Sequence, residues 1–76
     1  MIEVKINLDC ETYLIREEEN DIEKIIKKYV DLIKYYEGVQ STTYSFKLED
    51  DRVLVLNTEC FKRIHFVFTK YVPFSD

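Results

Sequence analysis

Residues 2–8 alternate strictly, with Ile2, Val4, Ile6 and Leu8 on one side and Glu3, Lys5 and Asn7 on the other, which predicts a half-buried strand. Thr12 to Ile15 is also strand-prone, so Asp9-Cys10-Glu11 is read as the turn of a hairpin, with a kinked continuation of the first strand as the alternative. The period then changes. Ile22, Ile25, Ile26, Tyr29, Val30, Ile33 and Tyr36 recur at helical spacing and predict one amphipathic helix. Asn20 with Glu23 reads as its N-cap and reciprocal partner, and Gly38 as its left-handed stop.

Three strands are expected after the helix: Val39 to Leu48, Val53 to Asn57, and Lys62 to Val72, the last ending before Pro73. A two-residue turn at Asp50-Asp51 would set Leu48 opposite Val53 and Phe46 opposite Val55. The expected core face then holds Val4, Ile6, Phe46, Val55, Ile64, Phe66 and Phe68 under the helix. The same alternation sends Leu54, Leu56, His65, Val67 and Tyr71 outward as an apolar patch for a partner or a second copy. The fold class is therefore α+β, one helix on an antiparallel sheet of four to five strands in β-β-α-β-β-β order, as a single domain over residues 1–76.

Charge adds a second candidate surface. The chain carries 15 acidic and 11 basic side chains, a net charge of -4 with its one histidine neutral. A protein that grips phosphate backbones usually has the opposite sign, so direct nucleic-acid binding is not expected. Because the strand after Gly38 runs back along the helix, Glu17, Glu18, Glu19 and Asp21 should approach Glu49, Asp50 and Asp51, with only Arg16 and Arg52 in compensation. Such an acidic pole suits a basic protein partner.

Candidate chemistry is sparse. One glycine excludes glycine-rich phosphate loops, and one histidine without a C-x-x-C pair excludes the common zinc patterns, so no cofactor or metal is expected. Cys10 and Cys60 are expected as free thiols in a cytoplasmic protein, given no apolar run of about 18 residues for a membrane and charges at Glu3, Lys5 and Asp9 that spoil a secretory leader. Arg63, His65, Thr69 and Tyr71 at even spacing would resemble the acid-base and anion-stabilising groups of a small nuclease. Tyr35 lies off the helical stripe as a candidate interface anchor. The absence of Ala and Trp beside abundant Ile, Lys, Glu and Tyr is a bias common in AT-rich phage and mobile-element genes. These features favour a non-enzymatic protein-binding module, such as an inhibitor, an immunity or antitoxin-type neutraliser or a phage-encoded modulator, acting on a basic protein, with nucleic-acid-binding proteins among the candidates. The alternatives are a nuclease-like enzyme centred on His65 and a structural dimer.

Overall fold

The computed structural model describes residues 1–70. β1 (Ile2–Leu8) and β2 (Glu11–Glu17) form the expected hairpin, with Val4 opposite Ile15 and Ile6 opposite Tyr13. Its loop is Asp9-Cys10, and Asp9 takes a positive φ of 55°, a conformation that aspartate tolerates better than most residues. β5 (His65–Lys70) pairs antiparallel with the other edge of β1, placing Ile6 opposite Phe66 and Val4 opposite Phe68. β1 is thus the middle strand of a three-stranded sheet, and its Ile2, Val4 and Ile6 are completely buried.

α1 (Ile22–Tyr36) packs across this sheet. Its N-cap is Asp21, which accepts the Glu23 N–H, rather than Asn20. Asn20 is engaged elsewhere: its Oδ1 accepts from the N-terminal ammonium. The buried stripe is also rotated from the expected one. Ile25 and Tyr29 are buried, with Ile22, Leu32, Ile33 and Tyr36 half-buried against the core, whereas Ile26 and Val30 are 38% and 42% exposed. The stripe Ile22, Ile25, Tyr29, Leu32, Tyr36 keeps an unbroken 3-4-3-4 spacing. A sheet only three strands wide covers that stripe but not the shoulder carrying Ile26 and Val30.

Among the described residues five antiparallel strands are present, but they divide between two sheets. β3 (Thr43–Lys47) and β4 (Val53–Asn57) form a separate hairpin with Lys47 opposite Val53, Phe46 opposite Leu54 and Tyr44 opposite Leu56. This register is one residue away from the expected one. The loop holds three residues, Glu49-Asp50-Asp51. Leu48 N–H donates to Arg52 C=O, Asp51 N–H donates to Leu48 C=O, and Asp51 sits at φ 66°. A tight turn followed by a left-handed residue is the common three-residue hairpin loop. Asp50 favours it by accepting the Arg52 N–H on its side chain. With a side-chain period of two, one residue of slip inverts the whole strand. Leu56 is buried and Leu54 half-buried, while Val53 and Val55 are 59% and 58% exposed.

The continuous meander is interrupted as well. Thr58–Arg63 is a 3-10 helix, capped by Asn57 Oδ1 accepting the Glu59 N–H. It replaces the start of the last expected strand and carries the chain from β4 across to β1. Buried Thr58 ties it down, donating its N–H to Thr42 C=O and accepting the Thr42 N–H on its hydroxyl. The ends of the last strand expected beyond residue 70, including Tyr71 and Pro73, lie outside the described residues.

Ring contacts join the two sheets. Phe61 of the 3-10 helix meets Tyr36, Tyr44 and Phe46 with centroids 5.7, 6.0 and 6.1 Å apart, and Phe46 meets Phe66 at 6.4 Å. Tyr29 closes on Phe66 and Phe68 at 5.2 and 5.6 Å. Two stability outcomes follow. Ile25→Ala should cost about 2–4 kcal/mol in urea unfolding, whereas Ile26→Lys should stay within about 1 kcal/mol of the parent. Asp51→Gly should stabilise the chain by roughly 0.5–1 kcal/mol, because glycine adopts a positive φ without steric cost; a loss of stability there would refute the three-residue loop.

Candidate protein-binding surfaces

The β3–β4 loop is tied directly to the middle of β2, while the acidic residues of the β2–α1 junction follow at the far end of that strand. Glu49 N–H donates to Leu14 C=O at 3.1 Å, and the Arg16 guanidinium lies 3.4 Å from the Glu49 carboxylate. The members then play different parts. Glu17 points under the helix, where its carboxylate accepts from Lys28 Nζ at 2.9 and 3.1 Å and from the Tyr29 hydroxyl at 3.0 Å. Its side chain is only 17% exposed, so this ion pair is a structural tie between β2 and α1. Asp50 pairs with Arg52 inside its own loop. Although slight desolvation pushes the Asp50 carboxyl up, the Arg52 N–H and guanidinium outweigh it and hold the group below its ordinary range. Glu19 accepts the Asp21 N–H, and Asp21 caps the helix. Among the described residues, Glu18, Glu19, Asp21 and Asp51 have no ion pair.

The expected outer patch is not assembled. Leu54 and Leu56 turn inward for the register reason above, and Tyr71 lies outside the described residues. His65 and Val67 do face outward, on the three-stranded sheet, with His65 opposite Asn7 and Val67 opposite Lys5. The exposed valines Val53 and Val55 belong to the other sheet. The alternation from Arg63 to Tyr71 also fails at its start. Arg63 closes the 3-10 helix, outside the strand that carries His65, and directs its guanidinium to Cys60 Sγ at 3.5 Å and Asp9 at 4.0 Å. Arg63 thereby draws Cys60 and the Asp9-Cys10 turn to one end of the molecule, and both cysteines are free thiols. Among the described residues no group of three His, Cys, Asp or Glu side chains is placed to hold a metal, and no helix is long and apolar enough to cross a membrane.

Sequence reasoning missed a cleft of about 470 Å³ between β2 and β3. Ile15 and Glu17 form one wall, Tyr44 to Lys47 the other, and Tyr29, Leu32 and Tyr35 of α1 the floor. The signal was present only indirectly, in the apolar position of Leu32 and in Tyr35, which is 70% exposed. A smaller hollow of about 350 Å³ lies between the end of α1 and the 3-10 helix, near Tyr36, Gly38 and Phe61. Comparisons with family models, with curated proteins and with solved structures each find no match for the chain.

One pH effect follows from the Glu17 tie. Burial, reinforced by the Glu17 charge and hydrogen bond, pushes the Tyr29 phenol far above its ordinary value of 10.0. The folded state thus holds this proton more tightly than the unfolded chain. Its contribution to stability is complete below pH 10 and is lost progressively as pH rises beyond that. Denaturant titrations should show the parent losing stability above about pH 10 more steeply than Tyr29→Phe. Equal slopes would exclude a buried phenol at Glu17.

Proposed function

We propose that this chain is a small non-enzymatic module that binds another protein carrying a basic surface, as an inhibitor, an immunity or antitoxin-type neutraliser or a phage-encoded modulator would. The observation that carries this reading is the charge left unpaired in the acidic set of the β2–α1 junction and the β3–β4 loop. Three of its seven carboxylates, Glu17, Glu49 and Asp50, are satisfied internally by Lys28, Arg16 and Arg52. Glu18, Glu19, Asp21 and Asp51 are exposed and, among the described residues, have no ion pair. Clustered like charge contributes nothing to folding, but it steers an oppositely charged surface and raises its association rate. A nucleic-acid-binding partner would present such a surface, and the pole would then compete with phosphates for it. Chemistry at His65 has less support, since Arg63 belongs to the 3-10 helix and is engaged with Asp9 and Cys60, so the even strand spacing from Arg63 to His65 is not formed.

The test is an association-rate series against salt with a partner captured from the native host. The triple variant Glu18→Gln, Glu19→Gln, Asp51→Asn should keep the parent's unfolding curve and associate about tenfold more slowly at low salt, the difference closing as salt screens the field. A rate indifferent to both substitution and salt would overturn the reading.

A further inference from the structure

The outer edge of β5 and the flank of α1 above it are left uncovered together. In the first hairpin Leu8 and Glu11 flank a two-residue loop, so Leu8, Ile6 and Val4 turn their backbone groups toward β2. Asn7, Lys5 and Glu3 turn theirs the other way, to meet His65, Val67 and Thr69 of β5. Phe66, Phe68 and Lys70 therefore hold their N–H and C=O groups out from the sheet, and among the described residues no strand lies on that side. The usual defences of an open edge are a proline, a bulge or a charge in mid-strand. His65–Lys70 pairs without a bulge, has no proline and carries its lysine at the very end.

The helix flank is open as well. Lys28, Leu32 and Tyr35 of α1 line the cleft beside β2, which puts the exposed Ile26 and Val30 on the opposite flank, toward β5. Ile33 of that flank borders the hollow against the 3-10 helix that leads into β5. At the helical period Glu23, Ile26, Val30 and Lys34 form one stripe, acidic at its start, apolar in the middle and basic at its end. Among the described residues neither Glu23 nor Lys34 has an ion pair.

Both features are self-complementary. Antiparallel pairing of two β5 strands about Val67 sets Phe66 opposite Phe68, and the extended Ile64 opposite Lys70. These are the residues whose main-chain groups point outward. Val67, 45% exposed, then meets its own copy in a close pair. The Tyr29 ring contacts both Phe66 and Phe68, so the middle of α1 lies level with that centre. A twofold axis there runs the two helices antiparallel and brings the Glu23 end of each stripe toward the Lys34 end of the other.

We propose that a second copy of this chain occupies this edge, the two β5 strands joining both three-stranded sheets into one of order β2-β1-β5-β5-β1-β2 with both helices on one face. Phe66 and Phe68 of each copy widen the apolar floor beneath the other's Ile26 and Val30, the shoulder that three strands are too narrow to cover. One short strand edge and one helix flank make less than the about 800 Å² a side of a standard interface, so the dimer is reversible. β5 is the edge opposite β2, and the acidic set beyond β2 stays open to its own partner. The two proposals are therefore tested separately.

Sedimentation equilibrium of the intact chain should show the mass climbing from 9.2 kDa toward twice that value as concentration rises from about 1 μM to about 1 mM. Val67→Glu gives the facing Lys5 a favourable neighbour in its own chain but sets two carboxylates against each other at the axis. It should keep the parent's unfolding curve at low concentration and weaken the dimer at least tenfold. Glu23→Lys should weaken the dimer about threefold, and adding Lys34→Glu should restore it. Amide exchange resolved by residue should slow with concentration by about tenfold at Phe66 and Phe68 and stay constant at Val55 of the other sheet. A mass fixed at 9.2 kDa, a dimer indifferent to Val67→Glu, or one that leaves the Phe66 and Phe68 amides unprotected would overturn the pairing. Protection of those amides only in the presence of a captured partner would overturn it too, and would give the edge to that partner.

Discussion

The rest of this fold depends on keeping water away from one face of β1. Ile2, Val4 and Ile6 are fully buried in a chain of 76 residues, and each such side chain is worth about 1.5–3 kcal/mol of transfer free energy. Two strand partners satisfy the β1 backbone, but their side chains alone cannot roof that face. α1 covers it through Ile25 and Tyr29, and the aromatic group of Phe46, Phe61 and Phe66 extends the same core beneath the second hairpin. A small domain has little apolar surface to spare, so nearly every ring among the described residues is drawn into this cluster.

Packing, rather than a shared hydrogen-bond ladder, unites the two sheets. Rings from α1, the β3–β4 hairpin, the 3-10 helix and β5 interlock at centroid separations between 4.7 and 6.4 Å. Such contacts favour tilted and edge-on geometries and tolerate an angle between layers that a backbone ladder does not. That tolerance lets the edges of β2 and β3 diverge after a single bond. The cleft is a direct consequence, and so is the position of the acidic loop beside β2.

The acidic side chains show how one charge type is divided between support and display. Glu17 is spent on Lys28 and Tyr29, locking the helix to the hairpin edge, while Glu49 and Arg16 hold the loop in place. The carboxylates at Glu18, Glu19 and Asp51 keep their field for solvent or a partner.

Much of this was legible in the sequence. The period-two run at residues 2–8, the helical period from Ile22 to Tyr36 and the alternation Ile64, Phe66, Phe68 each reflect local geometry that the chain obeys on its own, and they led to an α+β chain with its helix and strands in the right order. Tertiary structure decided what local periodicity leaves open. Whether the loop after Leu48 holds two residues or three changes almost nothing locally, yet it inverts Leu54, Leu56, Val53 and Val55 between core and solvent. The helical pattern fitted two neighbouring stripes, and only the width of the sheet beneath chose Leu32 over Val30. Asn20 and Asp21 were both adequate caps until the chain terminus engaged Asn20. The cleft belongs wholly to the tertiary structure, because the divergence of two strand edges is set by how rings distant in sequence pack, and no periodicity along the chain encodes an angle between sheets.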